Sequence, residues 1–129
     1  MDIPENIKFT QNDEWVKVEG NTGSVGISDF AQNQLSDVVY VEITVAVGDT
    51  VNQGDTCATL ESVKAAADVY MPVSGKIVAI NEEIANSPEL VNSDPYGAAW
   101  LVKVMLSNPT ELDELLDAAA YEKKLTAQS

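Results

Sequence analysis

The amino-acid sequence predicts a mainly β protein with a helix at its C-terminal end. Two observations carry that expectation. Through the first two-thirds, short runs of β-branched and aromatic residues alternate with turns of Gly, Asn, Asp and Pro. After Asn108 the apolar residues change to helical spacing. At 129 residues the chain can bury roughly two-thirds of its unfolded surface in one core. No low-complexity linker divides it, so one domain over residues 1–129 is expected.

The elements follow in order. EWVKVE (residues 14–19) reads as a strand that ends at Gly20-Asn21, and TGSVGI (22–27) comes next. Ser28 and Asp29 suit the start of a short helix, FAQNQL. A side-chain oxygen there satisfies a free N–H, and an acid opposes the positive helix end. VVYVEITV (38–45) is a strand, and VGDTVNQGD (47–55) is turn chemistry around two Gly-Asp pairs. TCATLE (56–61) leads into ESVKA (61–65). DVYMPVSGKIVAI (68–80) reads as two strands broken at Pro72 and Gly75, because proline has no N–H for a ladder. AAWLVKVML (98–106) is the last strand, reached through the turn NSDPYG. In the tail, Asn108 suits an N-cap, Pro109 the first helical position, and Glu111 a capping acid that reaches back. Leu112, Leu115, Leu116, Ala119 and Ala120 then form one apolar stripe, with a break near Asp117.

Composition excludes several functions. Twenty-one acids face seven basic residues, all lysines, for a net charge of −14. Such a surface repels phosphate backbones, so neither nucleic acid nor an anionic membrane is an expected partner. No apolar run is long enough to span a bilayer, and the start, MDIPENIKF, lacks the basic and apolar parts of a signal peptide. With one cysteine, Cys57, no internal disulfide forms, which fits a reducing compartment. Histidine is absent, which removes Ser-His-Asp and Cys-His nucleophile systems and imidazole metal ligands. The acids are scattered, and no Gly-rich phosphate loop precedes a helix. No catalytic residue and no metal ligand is therefore expected. If the protein takes part in catalysis, the expected source of the reactive group is a cofactor.

Lys64 is the residue to weigh. It lies ten residues after Gly54 and eleven before Gly75, each expected in a turn and each followed by β-type sequence. Two strands joined by ESVKA put Lys64 at or beside a hairpin tip, where a side chain points into water. Val63 is apolar where nothing suggests burial, and Ala65, Ala66 and Ala67 leave room around the amine. Spacing alone fits a merely solvated lysine. An ordinary lysine is almost fully protonated at pH 7 and is no self-activated nucleophile. The second reading is a lysine displayed for another enzyme to acylate.

ESVKA resembles the lipoyl-attachment turn of the glycine cleavage system H proteins, and the resemblance runs along nearly the whole chain. EWVKVEG (14–20), VGISDFAQ (25–32), VGDTV (47–51), PVSG (72–75), PELVN (88–92), DPYG (94–97) followed by Trp100, and ELDELLDAAAYE (111–122) match in order. Departures are Asp13 where the family usually has His, Ser93 where it has Glu, and Ala98-Ala99 where it has Glu-Gly.

The resemblance implies a flattened lipoyl/biotinyl-type β-barrel of two sheets, with lipoate attached covalently to Lys64. Glu61, Ser62, Val63 and Ala65 would form the turn that the lipoate-attaching enzyme recognises. It implies a non-catalytic, monomeric carrier. Glycine decarboxylase loads an aminomethyl group, aminomethyltransferase takes it, and dihydrolipoamide dehydrogenase reoxidises the dithiol. Glu14 and Asp68 match acidic positions of the cleft that shelters the loaded arm. The alternatives are an H-like relay of lipoyl groups or a biotin carrier. Biotin turns usually flank the lysine with methionines, unlike Val63 and Ala65. Met1 without a transit peptide points to a bacterial cytoplasm; a processed mitochondrial matrix protein would read the same. Duller roles are expected elsewhere. Trp15 and Trp100 suit core or rim packing, Cys57 a small buried hydrophobe, and Tyr96 a turn beside the cleft.

Overall fold

A computed structural model describes residues 3–128. Its strands are β1 (Lys8–Phe9), β2 (Glu14–Glu19), β3 (Thr22–Ile27), β4 (Val38–Ile43), β5 (Thr50–Val51), β6 (Thr56–Ser62), β7 (Ala66–Tyr70), β8 (Gly75–Ile80) and β9 (Val102–Leu106). The helices are α1 (Asp29–Leu35), α2 (Glu83–Asn86), α3 (Leu90–Ser93) and α4 (Ala118–Gln128), with a 3-10 turn at Pro109–Glu114. One antiparallel sheet runs β1-β2-β3-β9-β8-β5, and a second runs β4-β6-β7. The mainly β, two-sheet fold expected from the sequence is what forms, although the sheets do not close into a continuous barrel.

Alternation along the strands builds the core. Val16, Val25, Ile77, Val102 and Val104 of the larger sheet share one buried cluster with Val41, Ala58, Leu60 and Val69 of the smaller. Burial of this kind is the main favourable term in folding. Two Gly-Asp turns repeat one geometry. Asp49 N–H donates to Ala46 C=O and Asp55 N–H to Asn52 C=O, both at 3.0 Å. Each aspartate carboxylate also accepts from the N–H three residues back. Gly48 and Gly54, at φ 97° and 94°, supply the positive φ that such turns need. Gly75 differs from its sequence reading. It opens β8, opposite Leu106, and a Cβ there would meet the Met105 carbonyl oxygen at 2.0 Å. Close backbone approach, not turn geometry, explains that glycine.

A second buried cluster holds the C-terminal end. Ile7, Phe9, Trp15 and Tyr121 form it, with Tyr96, Trp100, Leu116 and Leu125 packed around. Phe9 stacks on Tyr121 with ring centroids 4.2 Å apart, and Phe9 and Leu116 exchange backbone hydrogen bonds of 2.8 Å. That pairing interrupts the tail, so the break expected near Asp117 is present.

The rest of the tail differs from expectation. The Pro109 segment is 3-10, and the Asn108 side chain caps nothing, accepting instead from the Thr110 hydroxyl. Glu111 does not cap either. Its carboxylate is buried and accepts from the Ser74 N–H at 2.7 Å and the Ser74 hydroxyl at 2.8 Å. A buried carboxylate needs hydrogen-bond partners, and Ser74 supplies two.

The last strand is also shorter than the run AAWLVKVML suggests. Before Val102 the chain is held by the Asn81 amide, which donates to the Ala98 and Trp100 carbonyls at 2.9 and 2.7 Å.

Candidate functional site: a hairpin tip and the cleft beside it

Strands β6 and β7 pair from Thr56↔Tyr70 to Glu61↔Ala66, leaving Val63, Lys64 and Ala65 to turn the chain. Ser62 organises that turn. Its N–H donates to Ala65 C=O at 2.7 Å, and its hydroxyl accepts from the N–H groups of Lys64 and Ala65 at 3.2 and 3.0 Å. A serine closing its own turn in this way offers the backbone an alternative to the ladder. Val63 is 68% exposed, and its N–H donates to Asp37 C=O, which anchors the tip to the start of β4. Lys64 is exposed, and its ammonium makes no hydrogen bond or ion pair among the described residues. Of the residues expected here, Glu61, Ser62, Val63, Lys64 and Ala65 stand together at one hairpin end.

A cavity of about 200 Å³ opens beside the hairpin. Ala67, Asp68 and Val69 of β7 form one wall, Ala31, Gln34 and Leu35 of α1 another, and Asn12, Asp13 and Glu14 the end. The two acids expected at a cleft both line it, but in different states. Asp68 is exposed and accepts from the Thr59 hydroxyl at 3.2 Å. Glu14 is buried, so it is not one more solvated acid. Its carboxylate accepts from the Thr10 hydroxyl at 2.6 Å and from the Tyr70 N–H at 3.2 Å. Burial pushes its pKa above the ordinary carboxylate value, and the Asp13 charge adds to this, against those two hydrogen bonds.

The residues fit a carrier of a covalently held acyl group. An unpaired amine on an exposed tip is open to acylation, and the amide formed there removes a charge that no local partner needs. The cleft supplies one exposed and one buried carboxylate along the hairpin flank, where a cationic group on a long arm finds counter-charge. Within the described residues no group of His, Cys, Asp and Glu is arranged to hold a metal. No helix among them is long and apolar enough to cross a membrane. Cys57 is fully buried and its thiol is pushed up to about 12, by burial first and then by the Glu14 charge. It is a packing residue here.

The glycine cleavage H-protein family model matches residues 7–128. The chain belongs to that family. It is 53% identical over 123 residues to the "Glycine cleavage system H protein" of Carboxydothermus hydrogenoformans, covering 95% of this chain and 94% of that one. With the protein of the same name from Staphylococcus haemolyticus it is 49% identical over 125 residues, covering 97% and 98%. A crystal structure of a glycine cleavage system H protein from Mycobacterium marinum superposes with a TM-score of 0.87. The two are 34% identical, covering 96% of this chain and 99% of that one. The residues matched by the family model include the hairpin, α2, α3 and the tail.

Sequence reasoning missed part of the cavity beside the hairpin. Nothing in DFAQNQL marked Ala31, Gln34 and Leu35 as cleft wall, Asn12 was not singled out, and Asp13 was noted only where the family usually has His. The Ser28 hydroxyl, expected as a helix cap, does accept from Ala31 N–H at 3.1 Å, but it also meets the Tyr121 hydroxyl at 2.6 Å. A contact spanning 93 residues leaves no local trace.

Proposed function

We propose that the chain, as one domain over residues 1–129, is a non-catalytic lipoyl carrier of the glycine cleavage system with lipoate on Lys64. The observation that carries this reading is the free, exposed Lys64 amine at the tip of a turn that Ser62 closes. Attached there, lipoate supplies a dithiolane that accepts an aminomethyl group and undergoes reversible reduction.

The chain's own residues do the rest. Ser62 fixes the turn, while Glu61, Val63 and Ala65 present a recognisable surface to a lipoate-attaching enzyme. The β6–β7 ladder keeps the tip clear of the body. Asp68 and Glu14 hold negative charge along the cleft, so a protonated amine brought there is stabilised and screened from water. Immobilising a long side chain costs up to about 2 kcal/mol, so the arm swings except where such contacts offset that cost.

The partners under this reading are glycine decarboxylase, aminomethyltransferase and dihydrolipoamide dehydrogenase, met one at a time by a monomer. A bacterial cytoplasm is the proposed location, in keeping with the bacterial sources of its relatives. The test is exchange of labelled carbon dioxide into glycine by the decarboxylase of the same organism. Lipoylated protein should support the exchange in proportion to its concentration. Absence of exchange with fully lipoylated protein would assign the chain to a relay of lipoyl groups instead.

A further inference from the structure

Helix α1 forms one wall of the cleft, yet none of its seven residues is buried. Ala31 and Leu35 pack on the core only in part. A helix with so little buried apolar surface has its position set by other contacts, and here they are polar and lie at its two ends.

At the N-terminal end the chain of hydrogen bonds runs out of the helix into α4. Ser28 accepts from Ala31 N–H, and because Tyr121 gives its one proton to the Asp13 carboxylate, the Ser28 hydroxyl donates to the Tyr121 oxygen at 2.6 Å. Tyr121 in turn donates to Asp13 Oδ1 at 2.8 Å. Asp13 is the neighbour of Glu14, and its carbonyl accepts from Ser28 N–H at 2.9 Å. One buried phenol therefore ties the α1 wall to the Asp13-Glu14 end of the cleft. Lys124, one turn further along α4, lies 3.7 Å from the same Asp13 oxygen. The Tyr96 hydroxyl accepts from Asp29 N–H at 2.9 Å and supports the same end.

At the C-terminal end Asn92 of α3 does the equivalent. Its amide donates to the Ser36 carbonyl at 2.7 Å and to Gln32 Oε1 at 2.9 Å, and its Oδ1 accepts from Val38 N–H at 2.8 Å. All three of these partner groups belong to α1, its end, or the strand that follows. A single side chain thus fixes where α1 stops and β4 begins.

We propose that Tyr121 and Asn92 are positioning residues that set the width of the cleft by pinning α1 at both ends. The proposal rests on the carrier reading above, because cleft width matters through the group the cleft shelters. Tyr121 bonds neither to the Lys64 turn nor to its anchor, so it acts on retention of the carried group and not on its attachment. Asn92 holds Ser36 and Val38 on either side of Asp37, whose carbonyl anchors Val63, and reaches the turn through that residue.

The experiment uses the full-length lipoylated chain with Tyr121→Phe, Asn92→Ala, Asn92→Asp and Glu14→Ala, all compared with wild type. Two quantities are followed: the lifetime of the aminomethylated form in buffer, and hydrogen exchange of the α1 amides in the native protein. Losing one buried pin should speed α1 exchange about three- to tenfold and shorten the lifetime by a similar factor. Asn92→Asp, which keeps Oδ1 but sets a second acceptor oxygen against the Ser36 carbonyl and Gln32 Oε1, should be at least as disruptive as Asn92→Ala. In Tyr121→Phe, lipoylation of Lys64 by the ligase should proceed at the wild-type rate, which a general loss of folding would not allow. If Glu14→Ala shortens the lifetime and the pin variants do not, the pinning idea is overturned and the cleft reading stands. If Glu14→Ala also leaves the lifetime unchanged, the cleft reading fails, and unchanged α1 exchange would overturn the pins on their own account.

Discussion

Glu14 Oε2 accepts a hydrogen bond from the Tyr70 backbone N–H, joining the first residue of β2 to the last residue of β7. Those strands belong to different sheets, and β7 is an edge strand with no neighbour beyond it. The carboxylate therefore satisfies an edge donor that would otherwise need water, and it does so at the end of the cleft. The same carboxylate that lines the cleft also links the two sheets.

That double role has a pH signature. The Glu14 pKa is raised in the folded state, so the fold binds its proton more tightly than the unfolded chain does. The contribution is fully present below the unfolded carboxylate value and is lost as pH rises through the folded one. Wild type should therefore gain stability relative to Glu14→Gln as pH falls from neutral toward that range. Urea midpoints of both proteins at a series of pH values measure it. A difference that is flat with pH would show that burial does not hold the proton.

Gly75 should not tolerate a methyl group. The Met105 carbonyl oxygen and Val104 Cγ2 stand 2.0 and 2.7 Å from where the Cβ would go, and the first is backbone that cannot step aside cheaply. Gly75→Ala is expected to cost about 1–3 kcal/mol, the range for forcing extra volume into a packed site. Chemical denaturation gives the value, and a loss within error of zero would mean that β8 and β9 slide apart freely.

Cys57 should be silent in the native state. With the thiol fully buried and pushed up to about 12, almost no thiolate is present at pH 8 and no reagent reaches it. A disulfide reagent should label it only on unfolding. Rapid labelling of folded protein would place the Cys57 thiol in contact with solvent.

The turn itself can be separated from the amine. Lys64→Arg should leave the unfolding midpoint unchanged and abolish lipoylation, since Lys64 holds nothing else in place. Ser62→Ala removes the acceptor for two backbone N–H groups and should lower stability by about 0.5–1.5 kcal/mol while slowing the ligase. Equal ligase rates for wild type and Ser62→Ala would remove turn geometry from recognition.

The sequence carried most of this fold where the physics is local. The strands show themselves by β-branched runs, the Gly48 and Gly54 turns by Gly-Asp pairs, and Lys64 by its place between two strands of similar length. What was not legible depends on distant partners. Glu111 looked like a cap because its spacing from Asn108 is right, and only the folded chain brings Ser74 to it. NEEIANSPELVN gave no clear period, yet α2 and α3 form there around buried Ile84 and Val91. The buried state of Glu14 could not be read from one acid among 21, because burial follows from the packing of β2 against β7 and the N-terminal loop.

On the proposed reading, Lys64 is there to be acylated. Peptide-level mass spectrometry on protein purified from its own cells decides it. One lipoyl increment confined to the peptide that holds Lys64 is the expected result. A bare Lys64 in cells that lipoylate other proteins, or a biotin increment in its place, would contradict it.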